Sequence, residues 1–261
     1  MSETLDAAAP PLPNGAASDM PPALVLPPLY RALEALTAER YGGLRLHDAG
    51  FGFAAAATAI PLGAEEFVVA ARTLPIVFAA QPPHMPVALT GLAAGTNLYV
   101  DAAGAWKSGA YVPAYLRRYP FLLLRVAVGS DELALCVDPE APQLSPQPNE
   151  AGEPLFADGK PAAQLERAFA FTRTVEEAML RTRTMAEALA AEGLLKPAVK
   201  EFQHNGKPLR VDGFCAVDCP ALAALPADTL ARLRDRGWLE VIYAHLLSIG
   251  GLPELARGIA T

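Results

Sequence analysis

The stretch GLAAGTNLYVDAAGAWKSGAYVPAYLRRYPFLLL, Gly91 to Leu124, is chemically the densest in the chain, and its reading decides how the rest is organised. It holds one of the two tryptophans, four of the seven tyrosines and the only adjacent arginines, Arg117 and Arg118, set between Tyr115 and Tyr119. Leu98 to Asp101 has the character of a short strand and Ala102 to Gly104 that of a tight turn. Trp106 then opens a return segment toward Tyr111, so the spacing predicts a hairpin. Pro113, with its fixed φ and missing N–H, suits the start of a short helix. Pro120 ends that helix by pushing Tyr119 toward extended geometry, ahead of a strand from Phe121 to Val128. The two arginines therefore project from one helical turn, where sequence neighbours point about 100° apart. One guanidinium is expected to face inward and pair with an acid, the other to face outward.

Upstream of this stretch, Ile76 to Ala79 and Val87 to Leu92 read as short apolar strands on either side of the loop Gln81 to Pro86. Ala64 to Thr73 sets Phe67 and Val68 beside Glu65 and Glu66, which suits a helix with acids near its positive end, closed by Pro75. Leu44 to Leu46 and Phe51 to Ile60 read as strands, and Tyr30 to Arg40 as a short helix with Leu33 and Leu36 on one side. Residues 1–29, with prolines at 10, 11, 13, 21, 22, 27 and 28, form an Ala/Pro-rich arm expected to be disordered. Its Pro pairs are read either as a solvated tail or as a polyproline ligand. The arm lacks the basic start and compact apolar segment of a secretory signal, so a cytoplasmic chain is expected.

Downstream, Gly129 to Asp131 is a hairpin loop leading to a strand Leu133 to Val137. Pro139 to Asp158 is polar and rich in turn formers; it reads as surface chain and as a sub-boundary near 139–160 within a domain of residues 30–261. Pro161 to Glu192 is the longest helix, with Leu165, Ala168, Phe169, Val175, Met179, Ala186 and Leu189 recurring at three and four residues. Pro161 suits its first turn and Gly193 its end, and Glu177 to Arg181 is spaced as an i,i+4 pair. Asn205-Gly206, a strong two-residue turn signal, joins strands Ala198 to His204 and Leu209 to Val217. Pro226 to Arg236 and Trp238 to Ile249 are helices separated by Gly237, the second with Leu239, Ile242, Leu246 and Ile249 along one face. The fold class that follows is α+β: a mostly antiparallel sheet in the first half, then a long helix, a β-hairpin and C-terminal helices packed against it.

With 261 residues and 52% apolar composition the chain can bury a substantial core. Its mean hydropathy is +0.23, yet no run reaches the ~18 to 20 apolar residues of a membrane span. A net charge of −7 disfavours nucleic acid as a partner, since that surface must displace counterions with a basic footprint. Three cysteines, Cys136, Cys215 and Cys219, cannot all pair, which points to free thiols in a reducing compartment.

Six motifs carry a family resemblance: PIVF at Pro75 to Phe78, NLYVD at Asn97 to Asp101 followed by Trp106, YVPAYLRRYPF at Tyr111 to Phe121, LCVD at Leu135 to Asp138, GEPLF at Gly152 to Phe156, and IYAHLLS at Ile242 to Ser248. By these the chain, from about Tyr41 to its C-terminus, resembles the bacterial SapC family. The resemblance implies an association with surface-layer loci or peptide-modification systems and supplies no settled activity. Cys219, in VDCPAL, stands where the family leads one to expect an acid.

Reaction cores are sought without success in the sequence itself. No GxSxG elbow, GxxxxGK[ST] loop or HExxH pair occurs. Gly50, Gly52 and Ala55 spell GxGxxA, but Val69 to Ala71, where a dinucleotide site needs an acid, carry none, so no cofactor is expected. The four histidines, His47, His84, His204 and His245, show no ligand spacing, so no metal site is expected; His245 on its helix face reads as a hydrogen-bonded structural residue. Asp101, Asp138 and Asp218 each end a strand, either as turn and cap acids or, paired, as an acid–base couple. The candidate binding residues are Asn97, Asp101, Trp106, Tyr111, Arg117, Arg118 and Tyr119. The arginines suit carboxylate or phosphate recognition beside stacking rings, or alternatively bridge to Asp101 or Asp138 as a clamp. Two functions follow: a non-catalytic accessory protein recognising a peptide or protein partner, or an enzyme on a peptide or small acid using Asp101 and the arginine pair.

Overall fold

The computed structural model describes residues 26–125, 133–145 and 152–256. Strands β1 (Glu34–Ala35) and β2 (Arg45–Leu46) flank a single-turn helix α1 (Ala38–Tyr41). β3 (Ala59–Pro61), helix α2 (Phe67–Ala70), β4 (Ile76–Ala79), β5 (Pro86–Leu89) and helix α3 (Ala114–Arg117) follow. The strands β6 (Phe121–Arg125), β7 (Leu133–Val137), β8 (Leu144–Ser145), β9 (Glu153–Pro154), β10 (Phe156–Ala157) and β11 (Lys160–Pro161) lead into α4 (Ala163–Ala191). The hairpin β12 (Leu195–His204) and β13 (Lys207–Val217) comes next, then helices α5 (Cys219–Ala223), α6 (Ala227–Asp235), α7 (Trp238–Ser248) and α8 (Leu252–Leu255).

Every strand pairing among the described residues is antiparallel. The largest sheet has the order β12-β13-β4-β5-β3; smaller sheets are β1-β7-β6, β8-β2-β9 and β10-β11. This is the α+β arrangement predicted from the sequence. Asn205 and Gly206 both take positive φ, 50° and 74°, the geometry of the tight hairpin turn that their side chains favour. Helix α4 turns Leu165, Val175, Met185, Ala186 and Leu189 inward, with Thr172 and Thr182 on the same buried stripe. It ends at Gly193, whose φ of 71° an L side chain resists.

Helix α7 is fixed to the large sheet by two polar side chains. His245, fully buried, accepts from the Val217 N–H at Nε2 (3.1 Å), so its Nδ1 carries the proton donated to the Ile76 carbonyl at 2.8 Å. Ser248 Oγ accepts from the Ile76 N–H at 2.9 Å and donates to the His245 carbonyl at 2.7 Å. His245 is thus the structural histidine predicted, and burial pushes its pKa down to about 4.

Several local expectations differ. Tyr30 to Arg40 is helical only from Ala38; its first part is extended and contains β1, because distant aromatic residues decide its course. Tyr30 donates its phenol to the Phe121 carbonyl at 2.7 Å, and Tyr115 donates to that of Pro28 at 2.8 Å. Phe51 to Ile60 is a strand only over Ala59–Pro61; its alanines have little β propensity, and a 3₁₀ turn at Gly52–Ala54 replaces the first part. The hairpin at Leu98 to Trp106 shrinks to one bridge, Val100 to Trp106. The segment read as surface chain contains β8 and β9, both paired with β2, and a fully buried Leu155 packed with Tyr41, Phe121, Val137 and Leu165. Arg181 pairs with Glu65 instead of Glu177, and Glu177 pairs with Arg173. All three cysteines are free, with Cys136 and Cys215 buried and Cys219 exposed. Residues 1–25 and the predicted loop Gly129 to Asp131 lie outside the described residues.

Candidate functional site

Helix α3 is a single turn, too short to persist on its own, and three remote contacts hold it. Pro113 precedes the turn in extended geometry (φ −54°, ψ 140°) rather than opening it. The Ala114 N–H, on a buried residue at the start of the turn, would otherwise lack a partner; it donates to Glu66 Oε1 at 2.7 Å. The same oxygen accepts the Tyr111 hydroxyl at 2.8 Å, while Glu66 Oε2 accepts the Gly63 N–H at 2.9 Å. Glu66 therefore ties its own turn to Tyr111 and to the start of α3.

The two arginines part as the helical geometry requires. Arg118 is 4% exposed and lies over the Tyr115 ring at 4.4 Å, ion-paired to Glu176 of α4. The acid is neither Asp101 nor Asp138, the partners named from the sequence. Around it stand Tyr30, edge-on to Tyr115 and Tyr119, and Phe53, stacked on Tyr119 with centroids 4.2 Å apart. Tyr119 donates to Asp138 at 3.1 Å; that fully buried carboxylate also accepts the Arg31 and Glu140 N–H groups at 2.8 and 3.0 Å. Burial, then the Asp138 charge, pushes the Tyr119 phenol well above its usual value, and burial raises Tyr115 to about 12. These phenols remain protonated donors at neutral pH.

Arg117 faces out. Its guanidinium spreads over Phe171 (5.2 Å) and Tyr111 (5.8 Å), donating through Nε to the Val112 carbonyl (3.2 Å) and through Nη2 to the Tyr111 oxygen (3.1 Å). Arg117 makes no ion pair with any described residue. Burial and the neighbouring Glu66 raise Tyr111 to about 12, so it holds its proton toward Glu66 while accepting from Arg117. Beside this edge opens a hollow of about 380 Å³ lined by Val69, Arg72, Thr73, Gly109, Ala110 and Tyr111.

The remaining sequence candidates are distributed between packing and turn roles. Trp106 is half-buried, stacked on Tyr99 at 5.6 Å, and donates Nε1 to the Tyr111 carbonyl at 3.2 Å, which orients that residue from behind. Asn97 is buried, bridging the Ala54 carbonyl and the Tyr99 N–H at 2.9 Å each. Asp101 is exposed and closes its own turn, accepting from the Ala103 and Ala105 N–H groups at 2.9 Å. None of the arginines' bonds reaches it. The structure thus gathers Tyr111 and Arg117, backed by Trp106, at the surface, and places Asn97, Arg118 and Tyr119 inside. Glu66, Phe171, Glu176 and Arg72 were missed. The partners of α3 lie 48 and 58 residues away, and no spacing in the chain announces them.

Among the described residues no group of three or more His, Cys, Asp or Glu side chains stands where it could hold a metal ion. No described helix is long and apolar enough to cross a membrane. Comparison with curated proteins and with solved structures returns no match to this chain. The comparison with family models does, over most of the length, including Glu66 and Glu176, which hold α3. The SapC family model covers residues 36–255, and the chain belongs to that family.

Proposed function

We propose that this chain is a non-catalytic accessory protein that recognises a peptide or protein partner at the Tyr111–Arg117 edge. The observation that carries this reading is the contrast within one helical turn: Arg118 is committed to Glu176, whereas Arg117 is exposed on two rings with no acid of its own. A guanidinium held between two aromatic rings and bonded to the Val112 carbonyl and the Tyr111 oxygen is oriented while still exposed. Its unused N–H groups form a fork suited to a carboxylate. The adjoining hollow offers Val69 and Ala110 to an apolar side chain and the Thr73 and Gly109 backbone region to a peptide. The partner chemistry is therefore an acidic residue, or a chain-terminal carboxylate, next to an apolar one. Its setting, by the family resemblance, is a surface-layer or peptide-modification system.

Selection from a random peptide display library tests the reading. Peptides rich in Asp or Glu beside an apolar residue are expected, with binding at least about tenfold weaker to Arg117→Ala. Enrichment of neutral or basic peptides, or equal binding by the variant, overturns it.

A further inference from the structure

Three of the eight large hydrophobic side chains exposed among the described residues border one groove: Val68 of α2, and Tyr243 and Leu247 of α7. Their helices have inner faces already used. Phe67 and Ala70 of α2 and Ile242, Ala244, His245 and Ser248 of α7 are buried. What remains outward on α7 is the stripe Glu240, Tyr243, Leu247, at helical spacing, and on α2 and the turn after it Val68 and Arg72. The two stripes border a shallow groove of about 450 Å³ with a floor of Ala71 and Ala244. Leu247 is 80% exposed, which for a leucine beside two other exposed apolar side chains marks a surface meant to be covered.

The charges on this groove say what covers it. Arg72 opens also onto the hollow beside Tyr111, and Glu240 onto the opposite hollow that contains Arg236 and Trp238. One cation and one anion thus mark the two ends. Both are exposed, and neither has an ion-pair partner among the described residues, although many surface arginines here do: Arg173, Arg181, Arg183 and Arg232 all meet glutamates. A partner carrying a single sign of charge would leave one end unsatisfied. A second copy turned by a two-fold axis sets each Arg72 against the other copy's Glu240, and apolar stripe against apolar stripe, because a two-fold interface must be complementary to itself.

We propose that the α2/α7 face is a homodimer interface, with Arg72 of each copy paired to Glu240 of the other across Val68, Tyr243 and Leu247. Arg117 is outside it, and although Arg72 borders both this groove and the hollow beside Tyr111, Leu247 lines this groove and not that hollow and so separates the two readings.

Sedimentation velocity on the full chain at micromolar concentration tests it. The expected species has twice the 27.5 kDa chain mass. Leu247→Asp should give a folded monomer that still melts cooperatively, since that side chain is not in the core, at a midpoint lowered only by the lost association. Arg72→Glu and Glu240→Arg should each weaken self-association at least about tenfold by facing like charges across the interface. Mixing those two variants should restore a dimer, because one then carries two acids at these positions and the other two bases. A monomeric wild-type chain overturns the proposal and leaves the face to a different protein. A dimer indifferent to Leu247→Asp overturns the location, and a mixture that stays monomeric overturns the two-fold pairing.

Discussion

The inner and outer sides of α3 use the same residue type to opposite ends. On the inner side Arg118 is enclosed by Tyr30, Tyr115 and Glu176, so its charge is worth having only while its partner stays in place. On the outer side Arg117 is exposed, its rings support it, and no described acid is ion-paired to it. The difference lies in solvent. Removing water makes an ion pair compulsory, because a stranded partner has no alternative, whereas exposure leaves the same group free to exchange partners.

The sharpest way to break this contrast is Arg118→Ala. It leaves Glu176 beside a cavity and unpaired, at a cost of roughly 3 to 5 kcal/mol for a buried pair. Glu176 is 30% exposed and can recover some hydration, which favours the lower end. The thermal midpoint is expected to drop by about 6 to 12 °C; a midpoint equal to wild type would show that the inner arginine is as dispensable as the outer one.

His245 extends the comparison to pH. Its folded-state pKa is lowered to about 4, by burial first, against 6.5 unfolded. Below 6.5 the unfolded chain takes up the proton before the folded chain does, so this contribution is complete above that pH and is lost as pH falls toward 4. The loss is on the order of 3 kcal/mol. Urea melts at pH 7 and pH 4.5 should show it in wild type and show less of it in His245→Gln; an identical pH dependence in the two would place the acid sensitivity elsewhere.

The smallest expected effect on stability is at Arg117. Arg117→Ala should melt within about 0.5 kcal/mol of wild type while losing peptide binding. A large destabilisation would erase the distinction between the two sides of the helix.

What the sequence made legible follows from how local each cause is. Asn205-Gly206 encodes its own turn, Gly193 its own helix end, and the 100° step between helical neighbours separates Arg117 from Arg118 without any tertiary knowledge. Which arginine turns inward was not legible, because that depends on where α4 passes and on which of its acids, Glu176, comes to rest there. The first part of Tyr30 to Arg40 departs from the expected helix for the same reason: the carbonyl of Phe121 holds Tyr30 and the phenol of Tyr115 holds the chain just before it, at Pro28, so the helix begins only at Ala38. Glu66 was read as an acid favouring its own helix start, and its larger part, holding Tyr111 and Ala114, is written in no neighbouring residue.

The hairpin β12–β13 behaves as two materials joined end to end. Its root, Leu195 to Ala198 against Phe214 to Val217, is backed by β4 through Phe214 and Cys215. Its tip, Lys200 to His204 against Lys207 to Val211, has only its own two strands, and a register shift at Ala198/Lys200 with Gly213 at φ 83° separates the two. A two-stranded ribbon without a third strand is marginal in water. The ladder should therefore open from the Asn205 end by small fluctuations that never reach the root. Amide hydrogens of Phe202 and Leu209, which sit opposite each other in the tip, are expected to exchange orders of magnitude before those of Cys215 to Val217. Uniform protection along both strands would mean that the hairpin opens as one piece.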